Sequence, residues 1–81
     1  MKSFTVRGIE FNLNDSGRYT GDVNSHPYVV IHHDEFLGMK DVWQATGAGH
    51  IGGCAHTPQE AVERVFEMFE KQMNYWKALL P

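Results

Sequence analysis

Between Ser3 and Leu13 the apolar positions change phase once. Phe4 and Val6 fall on even positions, while Ile9, Phe11 and Leu13 fall on odd ones. A two-residue turn at Arg7-Gly8 removes the conflict: Val6 then faces Ile9, Phe4 faces Phe11, and all of them share one side of a hairpin. The alternative is one long strand bulged at Gly8. "NDSG" (Asn14 to Gly17) is a second turn, followed by a weaker strand pattern over Arg18–Val23. "SHP" breaks the chain. "YVVIHH" (Tyr28–His33) is a strand by its β-branched content, "DEFLGMK" reads as a connection, and "DVWQAT" (Asp41–Thr46) is another strand. "GAGHIGGCA" is too glycine-rich for a helix and reads as a flexible approach with one short strand around His50–Cys54.

The period changes after Thr57. Thr57 supplies an N-cap oxygen, Pro58 occupies the first helical position, and Glu60 completes a capping box. At 100° per residue, Val62, Val65, Phe66, Phe69, Met73, Trp76 and Leu80 fall within an arc roughly 100° wide. Glu60, Glu63, Glu67 and Glu70 fall within a separate arc of about 80°. Glu60–Arg64 and Glu67–Lys71 are favourable i,i+4 pairs. The pattern predicts a helix from Pro58 to about Leu79. Strands first and a helix last predict an α+β fold, a single domain over residues 1–81: an antiparallel sheet of about four strands, hairpin first, with one long C-terminal helix on one face. Such a helix spans roughly 33 Å and strands of this length about 17–20 Å. The segment "NYWKALLP" should therefore overhang the sheet, leaving Tyr75, Trp76, Leu79 and Leu80 as an apolar patch of the kind that marks an interface.

Composition narrows the function. A chain of 81 residues with 42% hydrophobic residues is globular, yet buries only about 60–65% of its unfolded surface. Its N-terminus lacks the apolar run of a signal peptide, and no stretch approaches a membrane span. One cysteine forbids an internal disulfide and fits a reducing cytoplasm. A net charge of −3 without a Lys/Arg cluster argues against direct nucleic-acid binding and for a partner with a basic surface.

Candidate chemistry is sparse. His32, His50, Cys54 and His56, with Asp34 and Glu35, offer ligand types that suit zinc, but adjacent His32 and His33 point to opposite faces of a strand, and Cys54-x-His56 has no second ligand pair. A nucleophilic Cys54 lacks an orienting third group. "GAGHIGG" lacks the Lys-Ser/Thr of a phosphate loop. No catalytic residue, metal or cofactor is expected. The acidic residues remain: Asp34, Glu35, Glu63, Glu67 and Glu70 form surfaces suited to a basic protein, with Tyr75 and Trp76 as the apolar contact.

The run "YVVIHHDEF…VWQATGAGHIGGCAHTPQEAVERVFEMF" is similar in outline to two groups. "CAHTPQEAV" resembles the glycine turn and "G-x-T-x-E-E-A" helix start of HicB-like antitoxins through Thr57, Glu60 and Ala61, with Gly52-Gly53 upstream. The proline-glycine-cysteine run of that family is absent, as is a C-terminal DNA-binding module. The size, acidity and strand-then-"TPEEA"-helix order also resemble small anti-CRISPR and other anti-defence proteins of phages and mobile elements. The second resemblance implies a non-enzymatic inhibitor, acting in the host cytoplasm, that blocks a host protein by direct binding. The first implies an antitoxin neutralising a small toxin. A zinc- or cysteine-dependent protein is the third reading, and the uncovered apolar tail predicts a homodimer or a tight hetero-complex.

Overall fold

The computed structural model describes the backbone of residues 2–23, 25–47 and 50–79, and the side chains of these apart from 50, 51 and 75–79. It holds β1 (Ser3–Val6), β2 (Ile9–Leu13), β3 (Tyr19–Val23), β4 (His26–Phe36), β5 (Met39–Gly47), β6 (His50–Ala55) and α1 (Pro58–Leu79). The strands form one antiparallel sheet in the order β1-β2-β3-β4-β5-β6. The sheet thus has six strands rather than about four. The economy of its turns makes this possible: Val6 pairs with Ile9 and Phe36 with Met39, so two residues suffice to reverse the chain.

The N-terminal hairpin has the register that its change of phase requires, with Phe4 opposite Phe11 and Val6 opposite Ile9. Arg7 and Gly8, at φ +49° and +82°, form its turn. At the next turn the Asn14 carboxamide accepts from the backbone N–H groups of Ser16 (2.9 Å) and Arg18 (3.0 Å). The segment "DEFLGMK" is not a connection. Asp34–Phe36 continue β4, Met39 and Lys40 begin β5, and Leu37-Gly38 alone turn between them. The break expected at "SHP" is confined to its first residue: Ser25 lies in the turn after β3, while His26 and Pro27 already open β4, where a missing N–H is tolerated.

One sheet face carries the core. Phe4, Val6, Phe11, Tyr19, Val23, Tyr28, Val30, Ala45 and Ala55 are buried together with Ala61, Val62 and Val65 of the helix, and Ile9, Trp43, Phe66 and Phe69 pack around them. Rings run across this face: Phe4 stacks on Phe11 (5.2 Å), meets Tyr19 edge-on (4.9 Å), and Tyr19 meets Trp43 (5.6 Å). Both edge strands, β1 and β6, touch the helix, so the sheet curls around it. On the opposite face Val29, Ile31, Gln44, Thr46 and Cys54 are half-buried.

The helix begins as the cap requires. The Glu60 N–H donates to Thr57 Oγ1 at 3.1 Å, and the Ala61 N–H to the Thr57 carbonyl at 3.1 Å. It then crosses β6 at Gly53, where a Cβ would stand 2.7 Å from the Ala61 carbonyl oxygen and 2.9 Å from Arg64 Cβ. Glycine there is what lets the helix backbone come close to the strand. Beyond Phe69 every residue from Glu70 to Asn74 is exposed.

Candidate interaction surface

Polar side chains gather in two places, the helix flank and the distal part of the β4–β5 hairpin. On the helix flank, Arg7 projects from the β1–β2 turn. Its Nε donates to Glu63 Oε1 at 2.8 Å, its Nη1 pairs with Glu70, and its guanidinium lies over the Phe66 ring at 5.1 Å from the centroid. Glu70, and after it Glu63, holds the Arg7 pKa above its ordinary value. The hairpin tip is thereby clasped to the helix. The acidic row expected at the rim of an interface is partly committed inside the chain, since Glu63 and Glu70 hold Arg7 while Glu67 remains exposed. The side chains of Tyr75 and Trp76, the apolar half of that expectation, lie outside the described residues, as does Leu80.

The second place is built by unequal strand lengths. β4 has 11 residues and β5 has 9, against 5 in β3 and 6 in β6. Pairing of β3 with β4 stops at Val30, and pairing of β6 with β5 stops at Trp43. Residues 33–42 therefore form a two-stranded ribbon with no third strand on either edge. Its stem is braced. His32 Nε2 lies 2.6 Å from Asp41 Oδ1, and the His32 ring packs against Trp43 at 5.0 Å. His33 Nε2 lies 3.0 Å from Gln44 Oε1, and the His33 ring stacks on Phe36 at 4.7 Å. Asp41 has φ +57°, a local kink between the flanking pairs His33↔Val42 and Glu35↔Lys40. Asp34 and Glu35 stand on this ribbon, exposed and apart from the helix glutamates. At its tip Leu37 is 83% exposed, with Met39 beside it.

Among the described residues the histidines and the cysteine form no common ligand group. His32 pairs with Trp43 across the ladder, and Trp43 with Ala55; Cys54 pairs with Gln44, one position along, and so faces the other side of the sheet. His56 Nδ1 lies 3.4 Å from the Asp41 carbonyl oxygen. The side chain of His50 lies outside the described residues. Among the described residues no three or more His, Cys, Asp or Glu side chains are grouped as metal ligands. An open depression of about 370 Å³ lies over β2, β3 and β4, with Glu10, Asn12, Thr20 and Asp22 on its walls. Among the described residues no helix is long and apolar enough to cross a membrane.

Asp34 and Glu35, singled out in the sequence for their charge, stand on the ribbon; Leu37, Met39, Asp41 and Arg7 were given no role there. The signal for Leu37 was present in "DEFLGMKD": four residues, Phe-Leu-Gly-Met, between charged pairs read as a loop, whereas Leu-Gly is itself the turn. No family model matches the sequence, and neither a curated protein nor a solved structure matches it.

Proposed function

We propose that this chain is a non-enzymatic binding protein, encoded by a phage or mobile element and acting in the host cytoplasm, that inhibits a host defence protein by occupying its surface. The observation that carries this reading is apolar surface the chain does not cover for itself. Val62 and Val65 are fully buried, yet Met73, on the same helical stripe, is 58% exposed. Tyr75 and Trp76 follow in the sequence, and Trp76 continues the stripe. An amphipathic helix that outruns its own core is an unfinished interface. Its occupant is the partner, or a second copy that pairs tail to tail. The charge of −3 supports a basic partner, with Glu67 and the neighbouring glutamates at the rim affecting association rate and salt dependence.

Capture on the tagged, full-length chain from lysate of the host organism tests the reading. A protein with a basic surface is expected to be retained through moderate salt and lost with Trp76→Ala, because buried aromatics dominate such contacts. Retention of nothing above background would overturn it.

A further inference from the structure

Among the described residues, four non-glycine ones have left-handed backbone: Arg7, Ser25, Leu37 and Asp41. Arg7 and Leu37 stand at the same place in the same kind of turn, each followed by a glycine at φ near +80°. That type I′ turn favours Asn, Asp or Gly at its first position, and a bulky side chain there is disfavoured. For Arg7 the compensation is visible: its side chain engages Glu63, Glu70 and Phe66. For Asp41 it is visible too, in the contact with His32. Leu37 has a disfavoured backbone and, at 83% exposure, almost no contact with its own chain. A strained, exposed leucine at the tip of a braced ribbon is an outlier whose compensation lies outside the molecule.

We infer that the tip of the β4–β5 ribbon is the element that docks on the target, with Leu37 seated in an apolar socket of a protein partner whose rim carries lysine and arginine side chains. Charge complementarity selects this occupant. Asp34, Glu35 and Asp41 surround the tip against Lys40 as the one cation of the ribbon. The side chain of Asp34 is fully exposed and that of Asp41 nearly so. Met39 widens the apolar tip, and Phe36 is held back against His33. The His32–Asp41 and His33–Gln44 contacts and the paired backbone fix the ribbon before it meets anything, so docking orders few groups. The same carboxylates disfavour an anionic membrane, whose surface repels them.

This inference rests on the reading that the chain works by binding a protein, and its test separates the two. The protein captured on the tagged chain is identified, purified and titrated with wild type, Leu37→Asn, and the double variant Asp34→Asn/Glu35→Gln. Asparagine suits the turn, so Leu37→Asn keeps or raises the melting temperature, and lost binding cannot be ascribed to unfolding. It is expected to weaken binding by about tenfold or more. The charge variant is expected to slow association and flatten its salt dependence. Partner binding within about twofold of wild type for Leu37→Asn would overturn the ribbon assignment and leave the binding reading standing. Two other results would also overturn it: Leu37-dependent association with phosphatidylcholine–phosphatidylglycerol vesicles, or a Leu37→Asn effect confined to self-association of the chain. Capture of no protein at all would overturn both.

Discussion

Arg7 and Leu37 show how one backbone requirement is met by two different side chains. Both occupy a position that an L-residue with a Cβ enters at a cost of roughly 1–2 kcal/mol. Arg7 offsets this with a clasp between hairpin and helix, and Arg7→Ala is expected to lower stability in urea while removing much of its dependence on added salt. Leu37 offsets nothing within the chain, so Leu37→Asn is expected to raise unfolding stability by about 1 kcal/mol. Stability lowered by that change would mean that Leu37 packs on its own chain. At the helix start, Thr57→Ala orphans the Glu60 amide and should cost about 1 kcal/mol. Unchanged urea unfolding would place the cap elsewhere. Tyr28 adds a dependence on pH. Its ring is buried, and desolvation raises the phenol pKa above the ordinary value of 10.0. Below that ordinary value the folded state keeps its full stability. As the pH rises from there, the unfolded chain releases the Tyr28 proton first, and stability falls until the folded phenol also ionises. Thermal melts from pH 8 to 11, on the order of one-unit steps, should show this alkaline loss, reduced in Tyr28→Phe.

Elements were legible where the apolar period is continuous and obscure where glycine serves packing. The first hairpin is set by the phase of Phe4 and Val6 against Ile9 and Phe11, and its register matches that reading. The helix bounds follow from Thr57-Pro58 and the long 3.6-residue period. β3 gives little signal because Gly21 and Asp22 are poor strand formers. Yet a Cβ at Gly21 would meet the Glu10 carbonyl oxygen at 2.7 Å and the Phe11 ring at 2.8 Å, so the glycine that weakens the pattern is needed for β2 to pass. β6 is similar: its glycines make "GAGHIGGCA" read mostly as a flexible approach, although the short strand expected around His50–Cys54 is present as β6, and Gly53 is where helix and strand meet. Gly53→Ala should therefore cost about 1–3 kcal/mol, read from the urea midpoint, since its new methyl would press on helix backbone. An unaffected midpoint would mean that the helix lifts away without loss. The Arg7 clasp had no local signal at all, because its partners lie 56 and 63 positions along the chain.

At the scale of the whole molecule, the sheet curls around the first half of the helix and leaves two exposed stretches, the distal β4–β5 ribbon and residues 70–74 of the helix. Asp34 and Glu35 could be picked out beforehand because charge is visible in composition. That they share a ribbon with an exposed Leu37 depends on strand lengths that only the folded ladder fixes. The proposed division of labour is that the ribbon engages the target and the helix tail completes the assembly. Sedimentation velocity of the fluorescently labelled chain in clarified host lysate, across nanomolar to micromolar concentration, tests the central claim that these stretches are interfaces. Wild type is expected to sediment well ahead of a 9.2 kDa monomer, and Trp76→Ala and Leu37→Asn, each verified as folded, to fall back toward it. Wild type that sediments as the 9.2 kDa monomer at every concentration would contradict the account.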